Sequence, residues 1–143
     1  MIRNNKEVGK VGFVASAFDL LHAGHMLMLK DAKSQCDRLV VGLQEDPNLD
    51  RKEKNKPIQT LEERFIMLSG CKYIDEIWTY RTEAELYNHL KETSYDLRIL
   101  GSDWLGKDYT GIDLKIPVYW HNRNHDWSTT NLRKRIRNHH RKV

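Results

Sequence analysis

Neither of the two cysteines, Cys36 and Cys71, sits in a Cys-x-x-Cys pair, which removes a disulfide framework and a zinc set as organising devices. Burial as small apolar side chains is their expected use. No apolar run approaches the roughly 18 residues that cross a bilayer, and residues 1–6 form no hydrophobic signal region. The expectation is a soluble, cytoplasmic protein with no membrane partner. Internal repeats and low-complexity tracts are absent. No RNA-reading aromatic motif accompanies the basic residues Arg133, Lys134, Arg135, Arg137, Arg141 and Lys142, so the net charge of +4 reads as a solvated helix face and a basic tail from about residue 137. No nucleic-acid partner is expected. What remains is a chain of 143 residues, 31% of them charged, which fits one domain over 1–143 with a single modest core.

Within that length, β-prone apolar runs recur at residues 11–15, 38–43, 74–80, 96–100 and 116–120. Helix-like segments at 22–35, 61–69, 83–93 and 129–138 separate and follow them. The run Leu39-Val40-Val41-Gly42-Leu43 is apolar at nearly every position, as a strand covered on both faces must be. The pattern therefore predicts an α/β, Rossmann-like, doubly wound parallel sheet of five strands with helices on both faces. Such sheets collect ligands at the carboxyl ends of their strands, where the strand order reverses. The one long polar insert, residues 44–56, reads as a mobile loop.

The junction between the first strand and first helix carries the densest chemistry. His22 and His25 are three apart at the helix opening, so both rings can face a ligand beside the first turn. Gly24 lets that ligand approach the backbone, and the unpaired amides at a helix start favour a polyphosphate. Elsewhere, Thr60 with Glu63 forms a capping-box pattern. Arg64 beside it can pair with a carboxylate or reach a ligand. Ser128-Thr129-Thr130 opens the last helix, where one hydroxyl serves as the cap and others are free to meet phosphates.

The segment Phe18-Asp19-Leu20-Leu21-His22-Ala23-Gly24-His25 resembles the HxGH signature of the nucleotidyltransferase superfamily, and is most similar to glycerol-3-phosphate cytidylyltransferases. The likeness runs from about residue 11 to about residue 136. It includes Lys54 to Lys56, Glu63-Arg64, Tyr73-Ile74-Asp75-Glu76, Gly101-Ser102-Asp103-Trp104, and Arg123 with Ser128-Thr129-Thr130. The resemblance implies transfer of CMP from CTP to a small phosphorylated alcohol, sn-glycerol 3-phosphate first, giving CDP-glycerol and pyrophosphate. The alternatives are an adenylyltransferase, a cytidylyltransferase for another phosphomonoester, or an inactive nucleotide-binding module.

It also implies roles. His22 and His25 stabilise the α-phosphate and leaving group, Lys54, Lys56 and Arg123 hold phosphates, and Ala17, Phe18, Gly24, Arg64, Ser128 and Thr129 contact the nucleotide. Asp103 resembles the aspartate that helps recognise cytosine, although adenine also bears an exocyclic amine. The triphosphate implies a divalent cation, Mg²⁺, which Asp19 either contacts or leaves in favour of capping its turn. A homodimer is implied as well. Departures are visible: Ser16-Ala17 replaces the usual Gly-Thr, the charged loop differs in length, and residues 83–86 lack the second acceptor-binding lysine. Asn124-His125-Asp126-Trp127 replaces Thr-Glu-Gly-Ile.

Overall fold

A computed structural model describes residues 9–139, so residues 1–6, Arg141 and Lys142 lie outside the described part. Five strands, β1 (Val11–Ser16), β2 (Arg38–Gln44), β3 (Glu76–Tyr80), β4 (Leu97–Gly101) and β5 (Val118–His121), form one sheet in the order β3-β2-β1-β4-β5. Every pairing is parallel. The chain winds outward from β1 to β3, then returns to place β4 on the other side of β1. The strand order thus reverses between β1 and β4, which is where a doubly wound sheet opens a ligand crevice.

Alternation along β1 and β2 explains how helices cover both faces. Val14, Leu39, Val41 and Leu43 join Leu29 and Ala32 of α1 (Ala23–Ser34) and Leu68 of α2 (Leu61–Ser69) in one core. Val11, Phe13 and Val40 point the other way, against Leu86 and Leu90 of α3 (Glu83–Glu92). The last helix, α4 (Thr129–His139), carries no buried residue and instead sets its first turn over the carboxyl edge of the sheet.

The observed elements lie within a few residues of the sequence expectation, and the shifts have causes. β5 begins at Val118, two residues later than expected, because Pro117 has no N–H to give the ladder; its carbonyl accepts from the Arg98 amide instead. β3 begins at Glu76 because Ile74 is still in a turn, its amide bonded to the Cys71 carbonyl. The 44–56 insert is more structured than the expected mobile loop. It contains a 3-10 turn at Pro47–Leu49, and it is tied to α3 by an Arg51–Glu83 ion pair of 2.6 Å and a bond from the Glu83 amide to Asp50 of 2.5 Å.

Candidate active site

Residues 17–21 turn the chain from β1 into α1 through a strained path: Phe18 and Leu20 have φ of +50° and +53°. Bulky residues adopt that left-handed region only when their surroundings over-determine it. Here the Phe18 side chain is buried, the Leu20 amide donates to Gln59 Oε1, and the Ala17 carbonyl accepts from Arg64. The turn delivers His22 as the N-cap of α1 and His25 one turn on, with ring centroids 3.8 Å apart and planes inclined by 30°.

The backbone fixes which nitrogen of each ring holds its proton. His22 Nδ1 accepts from the Gly24 amide at 3.0 Å, and His25 Nδ1 accepts from the His22 amide at 3.1 Å. A neutral imidazole has one donor and one acceptor nitrogen, so both rings carry hydrogen on Nε2. His22 Nε2–H then donates to Thr129 Oγ1 at 3.3 Å, whose hydroxyl donates to the Asp19 carbonyl at 3.3 Å. Burial, followed by the charges of His22 and Arg123, lowers the His25 pKa to about 3 despite the opposing pull of Asp19. His22 is lowered too, first by burial and then by Arg123 and His125. Near neutrality the pair therefore acts as two neutral N–H donors, and the positive field comes from other groups.

Those groups surround a cavity of about 420 Å³ at the carboxyl ends of β1 and β4. His22, His25, Lys54, Asp103, Arg123, Ser128 and Thr129, all singled out from the sequence, line it together. Arg123 Nη1 and Asp103 Oδ2 face each other at 3.9 Å. Trp104 also lines the cavity, with the Arg51 guanidinium 6.0 Å from its ring centroid. Ser128 Oγ is the α4 cap, accepting from the Asn131 amide. Lys56 is exposed and not in the cavity wall, so Lys54 is the loop cation placed at the site.

Arg64, expected at the nucleotide, lies beneath the site and only 2% exposed. Its guanidinium donates to the carbonyls of Gln59, Ala17, Gln44 and Glu45 at 3.1, 2.9, 2.6 and 2.6 Å. It ties the β1–α1 turn to the end of β2 and the start of α2, and it is outside the cavity wall. Asp19 is likewise committed. Its carboxylate accepts the Ile58 and Gln59 amides at 2.9 and 3.0 Å and pairs with Arg133 of α4 at 2.8 Å. It does not cap its own turn, and its Oδ1 accepts the Gln59 amide alone. Ala17 and Phe18 sit behind the wall as parts of this brace. Gly24 lines the cavity; its amide is taken by His22, and a Cβ there would meet the Trp127 carbonyl at 2.8 Å and the His125 and His22 rings at 2.9 Å. Its missing side chain makes room for other parts of the site as well as for a ligand.

Two cavity residues escaped the sequence reading. His125 Nδ1 accepts from the Trp127 amide at 3.2 Å, leaving Nε2–H buried without a protein partner, beside Gly24. Its position departs from the family pattern, which is why pattern matching passed over it. The other is His121, at the end of β5. Among the described residues, no three His, Cys, Asp or Glu side chains cluster as a metal cage. The donor set of this cavity, imidazole N–H, guanidinium, ammonium and hydroxyl, suits phosphate oxygens.

Comparison with known proteins agrees with the geometry. A family model described as cytidylyltransferase-like matches residues 13–135. The bifunctional protein HldE of Campylobacter concisus is 34% identical over 137 residues, covering 95% of this chain and 29% of that protein. Its namesake from Paramagnetospirillum magneticum is 37% identical over 108 residues, 73% of this chain and 22% of that one. The chain thus spans less than a third of these relatives' length. Among solved structures, the lipopolysaccharide core biosynthesis protein of Thermoplasma volcanium superposes with a TM-score of 0.65 and 25% identity, covering 82% of this chain and 98% of that one. Pantothenate synthetase of Thermus thermophilus, 16% identical with a TM-score of 0.54 over 80% of this chain and 55% of that one, shares the fold.

Proposed function

Because the chain belongs to the cytidylyltransferase-like family of the nucleotidyltransferase superfamily, we propose that it transfers a nucleoside monophosphate from a nucleoside triphosphate to a small phosphorylated alcohol. CTP and sn-glycerol 3-phosphate are the first pair, with CDP-glycerol and pyrophosphate as products. An acceptor phosphate oxygen attacks the α-phosphorus, the bond from that phosphorus to the α,β-bridging oxygen breaks, and the electron pair leaves on pyrophosphate. The nucleophile is already anionic, so the work of the site is alignment of two anions and stabilisation of charge on the oxygens. Arg123 and Lys54 hold phosphates, Ser128 and Thr129 line the triphosphate path, and the Nε2–H groups of His22 and His25 donate where charge develops. The observation that carries this reading is the pair of backbone-fixed imidazole donors at a helix start on the strand-order reversal.

A divalent cation, Mg²⁺, belongs to this reading as the counter-ion of the triphosphate, held mainly by the phosphate oxygens. We further propose that the whole chain acts as one catalytic domain in a homodimer. A second acceptor class, a sugar phosphate used by an adenylyl- or cytidylyltransferase, is favoured by the neighbour named for lipopolysaccharide core biosynthesis. Pyrophosphate release measured with CTP and with ATP, against glycerol 3-phosphate and a panel of sugar phosphates, separates these readings. Turnover with one pair is expected to fall at least a hundredfold in His22→Ala and His25→Ala while the circular dichroism stays native. Binding of triphosphate with no pyrophosphate release for any acceptor in the panel would instead identify a nucleotide-binding module.

A further inference from the structure

His121 differs from every other imidazole at the cavity. It is the last residue of β5, register partner of Gly101 on β4, and only 6% exposed. Its Nδ1 lies 2.7 Å from Asp31 Oδ2, while Asp31 Oδ1 accepts from the Tyr119 hydroxyl at 3.0 Å. An ionised carboxylate only accepts, so the proton of this contact sits on Nδ1. In the neutral ring Nε2 then carries a lone pair. That atom is buried without a protein partner, in a side chain that forms part of the cavity wall. His22, His25 and His125 have the opposite arrangement: each Nδ1 accepts a backbone N–H, and each Nε2 is a donor. The side chains of the cavity wall therefore include three imidazoles with Nε2–H and, in its neutral form, one with an Nε2 lone pair.

The donors suit phosphate, and an acceptor does not. Facing a phosphate oxygen, a neutral Nε2 lone pair is repulsive. It is satisfied by an N–H or O–H of the ligand, and a buried acceptor left unmatched carries a desolvation penalty that such a group removes. We propose that His121, held by Asp31 and Tyr119, is a specificity residue whose Nε2 accepts a hydrogen bond from the nucleoside part of the substrate. The donor is the exocyclic amine of the base or a ribose hydroxyl. This rests on the cavity being the nucleotide site proposed above.

The test is equilibrium binding by titration calorimetry with CTP against UTP, ATP against purine-riboside triphosphate, and each ribonucleotide against its 2′-deoxy and 3′-deoxy forms. His121→Asn places an amide N–H near the old Nδ1, keeping the bond to Asp31 while deleting the acceptor. The wild type is expected to favour the ligand bearing the donor, and His121→Asn to lose about tenfold for that ligand with little change for its partner lacking the donor. The pair whose preference collapses tells amine from hydroxyl. His121→Gln, whose amide oxygen reaches near the old Nε2, should recover part of the preference. Preferences undiminished in His121→Asn, an equal loss across all ligands, or a loss confined to UTP overturns the inference. Independently of folding of the variants, ¹⁵N NMR of the wild type should show Nδ1–H at His121 and a shift of Nε2 on adding the preferred triphosphate; the Nε2–H tautomer, or an unmoved Nε2, overturns it as well. No binding of any triphosphate by the wild type refutes the nucleotide site itself.

Discussion

Replacing Arg64 by Met tests whether the braced turn, and not a ligand contact, explains that arginine. The substitution keeps an unbranched side chain of similar reach and deletes four hydrogen bonds to carbonyls from three separate segments. A bond from a charged donor is worth roughly 1.5–3 kcal/mol net, so simple addition gives a figure near 10. That sum is too large, because burying a guanidinium is itself costly and Met regains apolar contact. Stripping one partner from a buried polar cluster usually costs about 3–5 kcal/mol, which we take as the expected loss. At roughly 3 °C per kcal/mol for a chain of this size, Tm should fall by about 10–15 °C. Arg64→Lys should recover less than half, since one ammonium cannot reach all four carbonyls. Thermal melts followed by circular dichroism give the shift, and nucleotide titrations run well below the variant's Tm give the affinity. A Tm within 3 °C of wild type would refute the brace. If nucleotide affinity collapsed in that same stable variant, Arg64 would have to be a direct ligand contact.

Protonation and steric changes at the imidazole pair give further expectations. The folded His25 pKa of about 3 lies below the usual 6.5, so the unfolded chain binds the extra proton first. Stability contributed by the neutral ring is therefore complete above pH 6.5 and declines as pH falls toward 3, by up to about 4 kcal/mol. Urea melts at pH 7 and pH 4.5 should show a loss that His25→Gln reduces; an equal loss in both proteins would contradict the assignment. In ¹⁵N spectra at pH 7, His22 and His25 should both appear as Nε2–H tautomers, and a charged ring at either position would contradict the donor geometry. Gly24→Ala forces its new methyl against the Trp127 carbonyl and two imidazoles, and overpacking of this kind costs about 1–3 kcal/mol. Its kcat should fall more than tenfold, and wild-type turnover would show that residues 125–127 do not need their present place.

Much of this architecture is written locally in the chain. The alternation of apolar runs and amphipathic segments yields a wound parallel sheet, Thr60 and Glu63 form the reciprocal cap they spell out, and His22 and His25 open α1 side by side. The direction of a side chain is less local. Arg64 stands in a helix whose Leu68 is buried and whose Ile66 is exposed, and only the surrounding carbonyls decide that it turns inward. The Asp31–His121 contact joins residues 90 positions apart, with no spacing rule to announce it. Asp19 illustrates a different limit. Its acidity suggested a cap or a metal contact, and its actual partners come from residues 58, 59 and 133. Between Lys54 and Lys56 the choice depends on how the insert is tied to α3, which charge alone does not encode.

The Asp19–Arg133 pair spans 114 residues, and the His22–Thr129 contact spans 107. During synthesis the first histidine therefore leaves the ribosome long before the groups that complete its surroundings. Until Thr129 and Arg133 emerge, the left-handed turn lacks one of its clamps and the cavity lacks a wall. Triphosphate capture should consequently be the last property a nascent chain acquires. A proteolytic nick in the 122–128 segment, about a hundred residues downstream of the His22 and His25 rings, should abolish it first.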